Sequence, residues 1–121
     1  EAVVKIFIVE DEMIVAMSLQ LKLAEYGYND TTLFPSGEKA VNNLAAAPPD
    51  LLIMDINLLG ELDGLETVRR IRRHTNVPVI FLSGYSDASI RQEAAALSPL
   101  GFFIKPVDIE EIHRLIQREF G

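Results

Sequence analysis

Leu51-Leu52-Ile53-Met54-Asp55 is four apolar residues in a row followed by a carboxylate. A short apolar run without alternation is what a strand covered on both faces requires, and both faces are covered when helices flank a parallel sheet. Pro48-Pro49 closes whatever helix precedes it. After Asp55 comes the turn-rich stretch Asn57 to Gly64, and then Leu65, Val68 and Ile71 at helical spacing. The segment therefore reads strand, loop, helix, with Asp55 at the carboxyl end of the strand.

The same unit repeats on either side. Val3 to Val9 is a β-branched apolar run ending on Glu10-Asp11. From Met13 onward Ile14, Met17, Leu21 and Ala24 recur at helical spacing, which predicts a first helix to about Tyr26 with these residues facing the core. Gly27 supplies its left-handed stop. Thr31 to Phe34 is a short strand, and Ser36 can cap a helix holding Ala40, Val41, Leu44 and Ala45. Beyond Pro78, Val79 to Leu82 forms a strand ending on Ser83-Gly84, followed by a helix over roughly Asp87 to Leu97. Gly101 to Ile104 is the fifth strand, and Asp108 caps a last helix with Ile109, Ile112 and Ile116 inward. Strict alternation predicts a parallel sheet with right-handed crossovers, hence a three-layer αβα domain. The order 2-1-3-4-5 belongs to the flavodoxin-like doubly wound fold, (βα)5, with its switch point between strands one and three.

Residues 1–121 are enough for one domain, which at this size buries about two-thirds of its unfolded surface. A net charge of −7 sets the surface against nucleic acid and anionic membranes, so direct DNA binding and membrane association are disfavoured. The basic stretch Arg69, Arg70, Arg72, Arg73 and His74 reads as a solvated helix end complementing the C-terminal dipole. With no cysteine there is neither a disulfide nor thiolate chemistry, and no run approaches the ~20 apolar residues of a membrane span. The expected compartment is the cytoplasm. Glu1, with no Met before it, fits a segment that starts inside a longer chain.

In open α/β sheets ligands bind outside the carboxyl ends of the strands. This topology brings Glu10-Asp11, Asp55, Ser83 and Lys105-Pro106 to that edge. Two carboxylates about 5 Å apart repel by about 3 kcal/mol at an effective dielectric near 20, and one lysine cannot offset three of them. A hard cation can, and Mg2+ favours one or two carboxylates, waters and a phosphate. A carboxylate beside Mg2+ can attack phosphorus to form an acyl phosphate, with Lys105 and Ser83 contacting the phosphoryl oxygens.

With these positions assembled, the sequence resembles the receiver domain of two-component response regulators over essentially its whole length. The resemblance implies a Mg2+ site of Glu10, Asp11, Asp55 and the Asn57 backbone carbonyl, and makes Asp55 the phosphoacceptor. Ser83 matches the family's hydroxyl residue, and Lys105 its lysine before a cis proline, here Pro106; an X-Pro bond takes the cis form at modest cost. Phe102 matches the switch aromatic that turns inward when Ser83 moves to the phosphoryl group. The implied partners are a sensor histidine kinase or phosphotransfer protein as donor, and an output domain or protein that reads helix four, strand five and helix five. A homodimer through that face is a further possibility. Tyr85 and Asn57, two residues beyond Ser83 and Asp55, flank the approach of hydrolytic water.

The chain departs from the family in loop three, where Leu59 replaces a common proline and Asp63-Gly64 comes one residue late; a longer, differently shaped loop is expected. Two other classes fit worse. A flavodoxin-type nucleotide module needs an uncharged loop after strand one, where Glu10-Asp11-Glu12 would repel phosphate. A haloacid-dehalogenase phosphatase needs a second aspartate where Asn57 stands. His113 reads as a solvent-side residue of the last helix, and neither it nor His74 lies in a phosphodonor helix.

Overall fold

In the computed structural model, which describes residues 3–85 and 87–121, the apolar runs become strands β1 (Ile6–Val9), β2 (Thr31–Phe34), β3 (Leu51–Asp55), β4 (Val79–Ser83) and β5 (Gly101–Ile104). Helices α1 (Met13–Glu25), α2 (Gly37–Leu44), α3 (Gly64–Ile71), α4 (Ala88–Ala95) and α5 (Ile109–Phe120) alternate with them. All strand pairs are parallel, in the order β2-β1-β3-β4-β5. The flavodoxin-like arrangement expected from the alternation is the one observed. Residues 3–5 precede β1 without being strand, so the first strand is shorter than the apolar run.

Alternation along the strands divides the core in two. Leu52 and Met54 of β3 face Leu65, Val68 and Ile71 of α3, with Ala40 and Leu44 of α2 and Ala94 of α4 on the same side. Leu51 and Ile53 face Ala16, Leu19 and Leu23 of α1 and Ile112 and Ile116 of α5. Full burial of such side chains contributes about 1.5–3 kcal/mol each, so the central strands anchor both layers. Helix starts follow local chemistry: Ser36, Asp63, Asp87 and Asp108 each accept a backbone N–H of the turn they cap.

Three expectations are corrected. Ile14, Met17, Leu21 and Ala24 do not face the core; all four are exposed, Ile14 by 84%. Helix α1 is apolar on several sides, so periodicity offers two candidate stripes. The sheet selects Ala16, Leu19 and Leu23, whose small first member lets the helix lie close to β1. Arg72 is not merely a solvated helix end: its Nη1 donates to the Leu97 carbonyl at 2.7 Å and its Nε to the Val77 carbonyl at 3.2 Å. His113 is half-buried, with Nδ1 2.7 Å from the Tyr28 hydroxyl and its ring 4.4 Å from that of Tyr26. Its partners lie over eighty residues away in sequence, beyond the reach of helical pattern.

Candidate phosphoryl and metal site

Register decides which strand ends meet. Val9 pairs with Met54, Asp55 with Leu82, and Ser83 with Ile104, so the residues at or just after these ends share one edge. Backbone bonds hold the edge flush: Glu10 N–H donates to Phe34 O, Ile56 N–H to Leu82 O and Lys105 N–H to Ser83 O, at 2.8–3.0 Å. The Lys105-Pro106 peptide is cis, as expected.

Glu10, Asp11 and Asp55 each offer a carboxylate oxygen, and these atoms lie within 4.8 Å of one another. Glu10 and Asp55 are buried, at 3% and 2% exposure. Lys105 Nζ reaches both, 2.8 Å from Glu10 Oε1 and 3.3 Å from Asp55 Oδ2. Burial raises the Glu10 carboxyl to about 7; the Lys105 hydrogen bond opposes the rise and Asp55 adds to it. For Lys105, burial works against the charged form, but Glu10 and Asp55 together outweigh it and raise its pKa. A single ammonium thus leaves the three carboxylates short of positive charge. The all-oxygen donor set and the residual negative charge fit a hard divalent cation.

The remaining carboxylate oxygens organise the loops. Asp55 Oδ1 accepts Asn57 N–H at 3.0 Å, Asp11 Oδ2 accepts Leu59 N–H at 2.9 Å, and Glu38 Oε1 accepts Leu62 N–H at 2.9 Å. The loop after β3 is therefore pinned from α2 as well as from the site, with Gly60 at φ 105 allowing its bend and Leu59 exposed at its tip. Glu38 escaped the sequence reading because nothing local links it to a partner 24 residues away. Gly64 is needed for a different reason: a Cβ there would run into the Asp55 carbonyl oxygen and lie 2.7 Å from Ile56 Cα. Helix α3 can begin this close to the end of β3 only with a glycine at this point.

Ser83 is fully buried, its Oγ 3.3 Å from Asn57 Oδ1 and 3.1 Å from both the Tyr85 carbonyl and the Tyr85 N–H that donates to it. Asn57 Oδ1 also accepts Gly84 N–H at 2.8 Å. Sequence reasoning placed Asn57 here for its backbone carbonyl; its side chain proves to bridge the loops after β3 and β4. The Tyr85 side chain is exposed, and its backbone holds Ser83. Phe102 lies half-buried on β5 on the α3–α4 side of the sheet, opposite Phe103. A cavity of about 820 Å³ lies at the other end of the domain, beside Tyr26, Tyr28 and His113. Concavity does not mark this site; convergent charge does.

No helix among the described residues is long and apolar enough to cross a membrane. The family profile of the response regulator receiver domain matches residues 6–117. The chain is 32% identical over 118 residues to the regulatory protein AtoC of Escherichia coli, covering 97% of this chain and 25% of AtoC. It is 32% identical over 108 residues to the response regulator ArlR of Staphylococcus aureus, covering 89% of this chain and 48% of ArlR. It thus spans between a quarter and a half of these relatives' lengths. The signal receiver domain of a modulated diguanylate cyclase from Desulfovibrio desulfuricans superposes with a TM-score of 0.88 at 35% identity, over 97% of this chain and 93% of that one. A chemotaxis protein CheY4 from Vibrio cholerae shares the fold, with a TM-score of 0.85 at 24% identity over 97% and 98% of the two chains. The matched profile spans all five strands and the acidic edge they build, and the chain belongs to the response regulator receiver domain family, the phosphoacceptor modules of two-component signalling.

Proposed function

We propose that Asp55 accepts a phosphoryl group from the phosphohistidine of a sensor histidine kinase or phosphotransfer protein, and that the acyl phosphate alters the α4-β5-α5 surface read by a downstream partner. The observation that carries this reading is a buried carboxylate with an ammonium 3.3 Å away and two further carboxylates beside it. An Asp55 oxygen attacks phosphorus while the phosphorus–nitrogen bond breaks; the departing imidazole nitrogen keeps the electron pair and takes up a proton. Mg2+, held by Glu10, Asp11, Asp55 and the Asn57 backbone carbonyl, would supply neutralising charge to the phosphoryl oxygens.

The chain's own groups do the positioning. Lys105 exchanges its Glu10 contact for a phosphoryl oxygen and stays anchored by its backbone bond to Ser83. Ser83 gives up Asn57 Oδ1 and the Tyr85 carbonyl to donate to the phosphoryl group, and Phe102 turns inward behind it. Helix α4 is lightly held, with Ala94 its one buried residue, so a shift there costs little core contact. The output is a further domain or protein, or a second copy docked through α4-β5-α5, and the setting is the cytoplasm. Residues 1–121 form the receiver unit of such a regulator, whether free-standing or part of a hybrid kinase or other multidomain chain.

The test is incubation with a small acyl-phosphate donor and Mg2+. Intact mass should show one added phosphoryl group, absent in Asp55→Ala; equal labelling of that variant refutes the assignment. Sustained turnover of small phosphate esters would instead favour a phosphatase. Hydrogen exchange with and without a beryllofluoride mimic should change in α4, β5 and α5, and changes confined to the metal loops would refute the switch.

A further inference from the structure

Helix α4 has few apolar anchors, and arginines add to them. Besides buried Ala94, its apolar contacts are the half-buried Ile90 and Leu97. Arg69 of α3 pairs with Glu93 at 3.1 Å, and Arg72, following α3, bonds the Leu97 carbonyl just past the end of α4. Both hold the helix toward α3. On the opposite flank Arg91 of α4 places its guanidinium carbon 4.7 Å from the centre of the Phe102 ring on β5. Arginine over an aromatic face is attracted by the ring quadrupole and is also stacked flat against it.

The position of this contact is informative. Phe102 stands two residues before Ile104, the register partner of Ser83. Arg91 lies in the first turn of α4, with its N–H bonded to the carbonyl of the N-cap Asp87. The path from Ser83 through Gly84 and Tyr85 to Asp87 and Arg91 is short, and it returns across the Arg91–Phe102 contact to β5 beside Ser83. At its start the loop is tied to Ser83, whose Oγ bonds both the N–H and the carbonyl of Tyr85. Phe102 is half-buried at the edge of the core with the guanidinium over its ring, so a ring that turns further inward moves away from Arg91.

We infer that Arg91 is a positioning residue for the switch: its guanidinium holds Phe102 in the outward orientation, and its departure with the first turn of α4 releases the ring. This rests on the proposed coupling of Ser83 to Phe102 and adds the element that sets its resting balance. An exposed cation–π contact corresponds to roughly a two- to fivefold bias between two states. Removing it should raise the inward population of the unphosphorylated protein by about that factor.

The test follows the Phe102 ring by NMR in protein with isotope-labelled phenylalanine, with and without beryllofluoride and Mg2+. In Arg91→Ala without the mimic, the ring signal should move part of the way toward its mimic-bound position. Arg91→Lys, which keeps the cation but loses the flat stacking surface, should move less. Asp55 should still be labelled in Arg91→Ala, and the exchange protection of α4 in Phe102→Leu should no longer respond to Arg91→Ala. An unchanged Phe102 signal in Arg91→Ala, with the parent still responding to the mimic, overturns the inference alone. A parent whose Phe102 signal ignores the mimic overturns the switch and the inference with it.

Discussion

Replacing Glu10 by Gln in metal-free protein should remove much of the loss of stability that the domain undergoes as pH rises. Glu10 is 3% exposed, and burial, opposed by the Lys105 hydrogen bond and aided by Asp55, raises its carboxyl from 4.5 to about 7. Between these values the native protein keeps a proton that the unfolded chain has released. The native state binds more protons, so stability falls as pH rises through the window from 4.5 to about 7. Below it both states are protonated and there is no loss; above it the loss is complete. At 1.36 kcal/mol for each pKa unit, the loss amounts to about 3 kcal/mol. That is a large share of the ~5–15 kcal/mol that holds a typical domain. The net charge of −7 adds a slope of its own, so the informative quantity is the difference between parent and variant. Urea, being uncharged, leaves the electrostatics unscreened, and unfolding with a chelator at about pH 5 and about pH 8 measures that difference. The parent should lose about 3 kcal/mol more than Glu10→Gln. Equal losses would mean that Glu10 is charged in the native protein throughout, and that the carboxylate cluster is not short of positive charge.

Mg2+ should raise the thermal midpoint by ligand linkage, RT ln(1 + [L]/Kd), and Asp11→Asn should weaken that response; an unaltered titration would remove Asp11 from the site. Gly64→Ala should cost about 1–3 kcal/mol in urea unfolding, because backbone of Asp55 and Ile56 stands where the methyl must go. Wild-type stability in that variant would show that α3 can retreat from the strand. Tyr85→Ala should shorten the lifetime of phosphorylated Asp55 without abolishing labelling, each 1.4 kcal/mol or so of lost barrier being tenfold in rate. An unchanged decay with saturating Mg2+ would assign the exposed ring to solvent alone.

Much of the molecule was legible because its signals are local. An apolar run without alternation, as in Leu51 to Met54, has one comfortable home, a strand between two helix layers, and five strands alternating with helices leave little topological freedom. Once the strands are parallel their carboxyl ends must share an edge, so Glu10, Asp11, Asp55, Ser83 and Lys105 could be grouped before any coordinates. Tertiary structure alone decided the rest. Helix α1 has apolar residues on several sides, and only docking on β1 chose Ala16, Leu19 and Leu23 over Ile14, Met17 and Leu21. Glu38 on Leu62, Arg72 on Leu97, Arg91 on Phe102 and His113 on Tyr28 join residues separated by 11 to 85 positions, and no periodicity encodes such pairs. The raised pKa of Glu10 is of the same kind: its identity is written in the chain, but its burial and its distances to Lys105 and Asp55 exist only once the sheet edge has formed. Local pattern specifies which face is apolar and where a strand ends; which polar groups lose water together is a property of the assembled fold.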